Sequence, residues 1–347
     1  MKSAAAPQTE EDLEEILSRP TQGVMEVLAT LPGDLLVLGA GGKMGPSLAL
    51  MAQRVLGERH RVIAVSRFRD PACRRLLEQA GMRTIAADLR DPAAIAALPD
   101  APDLIFMAGQ KFGTNAAPAE TWAMNALVPA LVAARYPGRR FVVFSTGNVY
   151  PLVPASSKGA REDHPVGPVG EYAMSCVARE RLFEDAASRD DTPVTIFRLN
   201  YANDLRYGVL VDLARRVLTG EPVDLSMGQV NLIWQGDANA RALQCLALAS
   251  SPATILNVTG PDVLSVRALA KRIGDYAGRE PVFKGSEAAD SLLSDASRSI
   301  QLFGPPVVSV DTMIEWTVSW LRQGGRVLGK PTHFEERHGQ FLSDTHP

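Results

Sequence analysis

Three glycines set the first chemical expectation. In Leu35-Leu36-Val37-Leu38-Gly39-Ala40-Gly41-Gly42-Lys43-Met44-Gly45-Pro46, an apolar run meets a G-x-x-G-x-x-G turn at Gly39, Gly42 and Gly45. Such a turn brings backbone N–H groups against a pyrophosphate, and the absence of side chains leaves the phosphate its volume. A helix starting there adds partial positive charge. Lys43 and Met44 stand inside the turn as further contacts. Alone, the pattern fits plain turn chemistry equally well. The next apolar run ends in Ser66-Arg67-Phe68-Arg69, with no Asp or Glu to hold the ribose hydroxyls of NAD. A guanidinium would pair with the 2′-phosphate of NADP, so NADP is favoured over NAD. The plain alternative makes Arg67 and Arg69 solvated charges. Asp88, after Arg83-Thr84-Ile85-Ala86-Ala87, could accept a hydrogen bond from an adenine amino group.

These residues need strands that end where they stand. Val62 to Val65, Asp103 to Gly109 and Phe141 to Phe144 are short runs dominated by apolar residues, as buried parallel strands show. Between them, Leu48, Met51, Ala52, Val55 and Leu56 fall on one helical face, and a second helix is expected over 72–80. Strand–helix alternation of this length implies right-handed crossovers and an α/β fold with a doubly wound parallel sheet. Ligands of such sheets sit at the C-terminal strand ends. Ser66, Asp88, Gly109, Lys111, Ser145 and Thr146 all fall at or just past those ends.

The bulk properties narrow the class. The 347 residues suit one large domain or two interleaved ones. The net charge of -3 and the lack of a basic cluster argue against nucleic acid. No apolar run approaches membrane-spanning length, and the acidic N-terminus does not read as a signal peptide. Cys73, Cys176 and Cys245 lie far apart without metal spacing, which points to a reduced, cytoplasmic chain with no metal.

The fifth strand ends Ser145-Thr146-Gly147-Asn148-Val149-Tyr150-Pro151, and Gly170-Glu171-Tyr172-Ala173-Met174-Ser175-Cys176 follows some twenty residues later. With the glycine turn, Asp88-Leu89, Ala108-Gly109-x-Lys111-x-Gly113, Asn125 and Phe197-Arg198-Leu199-Asn200, the chain resembles the extended short-chain dehydrogenase/reductase family. That group holds nucleotide-sugar epimerases, dehydratases and related reductases. The match continues through Leu256-Asn257-Val258-Thr259-Gly260, Leu264-Ser265-Val266-Arg267 and Asp295-Ala296-Ser297-Arg298, over roughly residues 34–323.

The resemblance implies a Rossmann domain over 34–200 with a return strand near 255–258, and a smaller interleaved C-terminal α/β substrate lobe over 201–328. An N-terminal helical extension (1–33) and a C-terminal tail (329–347) flank them. It makes Tyr172 the acid/base and Thr146 a hydrogen-bond donor to the same substrate oxygen. It places Leu89, Ala108, Gly109 and Asn125 around the cofactor. Lys111 matches a lysine that serves the cofactor in UDP-galactose 4-epimerases. A homodimer through helices near 119–135 and 172–187 is also implied.

Departures shape the rest. The family pattern is Y-x-x-x-K, but Cys176 follows Tyr172. The lysine's charge normally lowers the tyrosine pKa, and a thiol cannot replace it. Three outcomes stay open: Lys111 supplies the cation, Tyr172 acts only as a neutral donor, or the site is chemically silent. Gly147-Asn148 stands where dehydratases carry Asp-Glu, which disfavours water elimination. Val230 stands where UDP-sugar epimerases place a diphosphate-binding Arg; Arg206 or Arg267 could compensate.

The reading is therefore an NAD(P)-dependent oxidoreductase or epimerase acting on a hydroxyl or carbonyl of a carbohydrate-like small molecule. Its rival is a catalytically weak NADP-binding sensor. Tyr201 and Tyr207 either line the substrate site or pack; Trp234, Trp316 and Trp320 are expected in the core. Residues 1–8 are expected to be disordered, and Thr9 to Asp12 to open a helix with a capping box. That helix is expected to cover a sheet edge or the sheet bottom. The tail is expected to be exposed, or else a lid or dimer contact.

Overall fold

Apolar runs become strands because both of their faces can be buried. The computed structural model describes residues 5–57, 59–114 and 116–341. Its central sheet contains β1 (Leu35–Leu38), β2 (Val62–Ser66), β3 (Arg83–Ala86), β4 (Asp103–Phe106), β5 (Arg140–Thr146), β6 (Val194–Leu199) and β7 (Thr254–Val258). The order is β7-β6-β5-β4-β1-β2-β3, and every pairing is parallel. The expected doubly wound sheet is therefore present. Leu35 and Val37 point into a core with Leu48, Met51 and Leu243, while Leu36 and Leu38 face Val128, Val132 and Phe183. Alternation along β1 thus serves two cores at once.

The helices are α1 (Glu10–Leu17), α2 (Gln22–Ala29), α3 (Gly45–Leu56), α4 (Pro71–Gln79), α5 (Pro92–Ala96), α6 (Pro118–Trp122), α7 (Val128–Arg135), α8 (Gly170–Asp190), α9 (Val209–Thr219), α10 (Gln235–Gln244), α11 (Val266–Ala277), α12 (Ser297–Phe303) and α13 (Val310–Arg322). A separate core joins α9, α11 and α13 through Leu213, Leu269 and Trp316. Trp234, Trp316 and Trp320 are buried there, the first two edge to face with ring centroids 5.5 Å apart. None of these tryptophans is a surface platform.

Three local expectations change. The helix expected over 119–135 breaks at a π turn, Ala123–Leu127. Pro129 has no N–H to bond the carbonyl of Asn125, so the α ladder cannot continue through it. Of residues 1–8, expected to be disordered, 1–4 lie outside the described residues; 5–8 are irregular, but Pro7 is buried and its carbonyl accepts from Gln323 Nε2 at 3.3 Å. The capping box forms, with Asp12 N to Thr9 Oγ1 and Thr9 N to Asp12 Oδ2 both at 3.1 Å. However, α1 and α2 pack on α3 and α10 rather than along the edge strands β3 and β7. Their apolar faces find deeper partners there: Leu13 and Leu17 enter the second core, Val24 and Leu28 the first.

Residues 342–347 of the expected tail lie outside the described residues, and its part up to Phe341 is not a loose exposed end. Phe334 is fully buried, Phe341 nearly so, and Arg216 pairs with Glu335 at 2.7 Å. Among the described residues no helix is long and apolar enough to cross a membrane.

Candidate active site

The chain leaves β1 and β4 toward opposite sides of the sheet, which opens a crevice above their C-terminal ends. Gly39 ends β1 with φ 95°, and a Cβ there would lie 2.6 Å from Ala108 N. A Cβ on Gly45 would lie 2.4 Å from Ala40 O. These two glycines are demanded by the protein's own backbone. A Cβ on Gly42 would meet only Gly39 O, at 3.3 Å, and otherwise enters open space. The helix α3 begins beyond Met44 without a side-chain cap, so its first N–H groups are free for an anion.

Two cavities of ≈ 270 Å³ each share Gly39, Gly42, Met107 and Gly109 and form the halves of one cleft. Ser66, Arg67, Phe68, Arg69, Leu89 and Ala108 line the first half. Asp88 is not among the lining residues. Arg90 grips its carboxylate, with Nη2 to Oδ2 at 2.6 Å, and this hydrogen bonding holds its pKa down to about 2. Asp70, the other carboxylate nearby, caps α4 by accepting from Ala72 N at 2.8 Å. Arg67 and Arg69 thus stand beside a cavity whose closest carboxylates are already engaged.

The second half holds Lys43, Met44, Gly45, Lys111, Thr146, Tyr172 and Arg179. Thr146 ends β5, and Asn148 donates to its Oγ1 from both N and Nδ2, at 3.2 and 3.0 Å. Accepting these bonds leaves the Thr146 hydroxyl proton to be given outward, into the cavity that Tyr172 also lines. Burial pushes the Tyr172 pKa far above its usual value; the Cys176 thiol adds to the rise and the Arg179 guanidinium opposes it. Burial also raises the Cys176 thiol. Cys176 is therefore a packed thiol and no thiolate nucleophile.

Arg179 is the residue that sequence reasoning missed. It lies seven positions after Tyr172, so two turns of α8 bring it to the same face. The family pattern places its cation one turn after the tyrosine, whereas this one stands two turns after it. Arg179 is buried, with Nη1 donating to Phe144 O and Nη2 to Asn125 Oδ1, each at 2.8 Å. Among the described residues its Nε has no partner. Asn125 does not line the cleft; it clamps the loop after β4, accepting from Gln110 N at 2.8 Å and donating to Gln110 O at 2.9 Å. Asn125 stands within the π turn.

Below the pair, Glu180 and Arg198 form a buried two-pronged ion pair at 2.9 and 2.7 Å. Ser145 also donates to Glu180, and Arg198 Nη1 donates to Tyr150 Oη at 2.7 Å. This network fixes the end of β5 under Thr146.

Two lysines sit on the outer wall. Lys43 Nζ donates to Ala202 O at 3.0 Å and lies 4.2 Å above the Tyr207 ring. Lys111 Nζ donates to Thr332 O at 3.3 Å, lies 4.8 Å from the Phe341 ring centroid, and 6.0 Å from that of Tyr172. Burial pushes Lys43 down to about 7 and Lys111 to about 8. Tyr172 and Phe341 meet edge to face at 5.5 Å, so the tail roofs the site. Neither proposed diphosphate partner is free. Arg206 is held by Asp204 at 2.7 Å and Glu14 at 2.6 Å, and Arg267 by Glu287 at 2.7 Å.

Residues 35–231 match the model of the NAD dependent epimerase/dehydratase family. The chain belongs to that family. Comparison with curated protein sequences returns no match. Among solved structures, UDP-glucose 4-epimerase of Thermotoga maritima, crystallised with UDP-glucose, superposes with a TM-score of 0.68 at 18% identity, over 84% of this chain and 99% of that one. A UDP-glucuronic acid 4-epimerase variant from Bacillus cereus, with NAD and a fluorinated UDP-sugar, gives 0.69 at 16% identity, over 84% and 99%. WbmG of Bordetella bronchiseptica, with NAD, gives 0.69 at 21%, over 85% and 95%. At these identities the likeness is one of fold.

For this family member, the residues present fit a nicotinamide dinucleotide. The glycine cradle is open at Gly42, α3 offers uncapped N–H groups, and the cleft runs from Arg67 to Tyr172.

Proposed function

We propose that the protein is a nicotinamide-dinucleotide-dependent oxidoreductase or epimerase acting at a hydroxyl or carbonyl carbon of a small carbohydrate-like molecule. The observation that carries this reading is the Thr146–Tyr172 pair at the cleft wall, beyond the glycine cradle. The cradle and α3 would hold the pyrophosphate, and Gly109 and Lys111 would border the nicotinamide end. When bound, the cofactor supplies or takes up the hydride.

The chain's own work is with the proton. Burial keeps Tyr172 protonated at neutral pH, so its phenol gives its proton to a substrate carbonyl oxygen as that carbon is reduced. Thr146 orients the same oxygen. In the oxidising direction Tyr172 must accept a proton, and Arg179 is the cation that eases the negative charge this requires. Arg179 thus takes the electrostatic part of the lysine absent at Cys176, whereas the Lys111 ammonium bonds the tail carbonyl. With Arg206 and Arg267 committed elsewhere, a sugar without a nucleotide diphosphate is favoured.

NADP in preference to NAD is the finer reading, supported by Arg67 and Arg69. A cytoplasmic setting is in keeping with three unpaired cysteines. A homodimer is supported by exposed Trp122, Leu127 and Met174 on neighbouring stretches of α6, the π turn and α8.

The test measures dinucleotide binding and turnover with a panel of sugars and sugar acids, for the native protein and Tyr172→Phe. We expect turnover that falls about 100-fold or more in Tyr172→Phe, the range of a general acid/base. Dinucleotide binding without turnover across the panel, unchanged in Tyr172→Phe, refutes the enzyme reading in favour of a sensor.

A further inference from the structure

Two half-buried ammonium groups face one cavity with little to neutralise them. Lys43 leaves the glycine turn for the second lobe, where Ala202 O accepts from it; Lys111 comes from the loop after β4, where Thr332 O accepts from it. An ammonium has more donors than one carbonyl can use. Among the described residues neither lysine is in an ion pair, and each loses charge affinity to burial. The two also repel each other.

The charged groups around them are engaged elsewhere. Asp204 belongs to Arg206, which also takes Glu14. Asp212 on α9 accepts from Thr332 N at 2.8 Å and Thr332 Oγ1 at 2.6 Å. The Cys176 thiol on α8 is kept neutral by burial. The start of α9, at Gly208 and Val209, lines the same cavity, although the N–H of Leu210 is already taken by Asn203 Oδ1 at 3.2 Å. It contributes a third source of positive potential. Tyr207 closes one side, its ring edge to face with Phe112 at 6.3 Å.

We propose that Lys43 and Lys111 form an anion subsite for the substrate, so that the molecule turned over at Tyr172 is a sugar bearing a carboxylate or a phosphate. The anion bridges the two ammonium groups beside the start of α9. The reacting carbon then lies toward Thr146 and Tyr172 on the inner wall of the same cavity. A neutral sugar leaves both half-buried lysines without a counter-charge, which is the physical basis of discrimination. Loss of an anion from such a site costs more than loss of a hydroxyl, because charge-assisted hydrogen bonds are the stronger kind.

This inference rests on the oxidoreductase reading, so the experiment first titrates the protein with NADP and NAD by calorimetry. The dinucleotide-saturated protein is then titrated with D-glucuronate, D-glucose 6-phosphate and D-glucose. We expect one anionic sugar to bind at least about 10-fold more tightly than D-glucose; the tighter of the two shows whether the anion is a carboxylate or a phosphate. Lys43→Met and Lys111→Met should each remove that preference, while Lys43→Arg keeps it; the dinucleotide titration of each variant, made first, reads separately what either lysine gives the cofactor. Thermal melts of all variants establish that they are folded. D-glucose binding as well as the anions, or no sugar binding at all, overturns the proposal. So does a Lys43→Met protein that loses dinucleotide and sugar affinity alike, since the anion is then the cofactor pyrophosphate. Failure to bind either dinucleotide overturns the oxidoreductase reading itself, and is seen before any sugar is added.

Discussion

Gly39 and Gly42 belong to one motif, yet the structure gives them different work, and alanine at each separates the two. At Gly39 a methyl group would lie 2.6 Å from Ala108 N and 2.8 Å from both Ala108 Cα and Met107 C. Those atoms are backbone at the junction of β1 and β4, so they cannot swing aside. Overpacking of this kind costs roughly 1–3 kcal/mol. The φ of 95° adds strain of roughly 1–3 kcal/mol for a residue with a Cβ. Gly39→Ala should therefore lose about 2–6 kcal/mol of stability, read as a fall in melting temperature of roughly 5–15 °C. At Gly42 the same methyl group touches only Gly39 O at 3.3 Å and projects into the cleft. Gly42→Ala should melt within about 2 °C of the native protein. Its dinucleotide affinity should fall about 10- to 100-fold, or roughly 1.4–2.8 kcal/mol. Scanning calorimetry and isothermal titration with NAD and NADP read both quantities. A Gly42→Ala protein that binds dinucleotide normally refutes the placement of the pyrophosphate. A Gly39→Ala protein that melts like the native one refutes the steric argument at the strand junction.

Other perturbations test the surrounding architecture. Arg198→Met strands the buried Glu180 carboxylate with Ser145 as its remaining side-chain donor; it should cost about 3–5 kcal/mol in denaturant unfolding, and much of that loss should return when Glu180→Gln is added. A loss below about 1 kcal/mol would remove the network as an anchor for Thr146. Arg67→Ala should reduce the NADP-to-NAD affinity ratio by about 10-fold or more, the worth of a charge-assisted bond to a 2′-phosphate; an unchanged ratio returns Arg67 to the solvent. Stability of the ligand-free protein should depend on pH through Lys43. The folded-state pKa is about 7 and the unfolded value 10.5, so between them the unfolded chain binds more protons. Stability should rise with pH across that window, by up to about 1.4 kcal/mol per unit for this group, and Lys43→Met should flatten the rise. A profile identical in the variant contradicts the burial of that ammonium.

Much of the scaffold was legible. The order of short apolar runs and amphipathic helices predicts the parallel sheet, because each run is too continuous for a half-exposed strand and too short for a helix. Gly39 and Gly45 announce the turn, and Tyr172 and Thr146 stand at positions the family pattern marks. Pairing was harder to read than placement. Asp88 sits just past a strand end as expected, but a neighbour two residues on, Arg90, captures its carboxylate. Arg206 is taken by Asp204 beside it and by Glu14 from the distant α1, and Arg267 by Glu287.

What the sequence alone determined was local and periodic: which runs are strands, where the glycines bend the chain, and which face of each helix is apolar. Those follow from side-chain spacing and backbone freedom, which operate over a few residues. Only the tertiary structure decided the electrostatics of the site. Arg179 lines the same cavity as the tyrosine because α8 is long enough to present a second turn, and because Phe144 O and Asn125 hold the guanidinium inward. Lys43 and Lys111 share a cavity although 68 positions separate them in the chain. The tail, polar in composition, buries Phe334 and Phe341 over that cavity. Charge interactions depend on distance and desolvation through space, and neither is written in the order of residues.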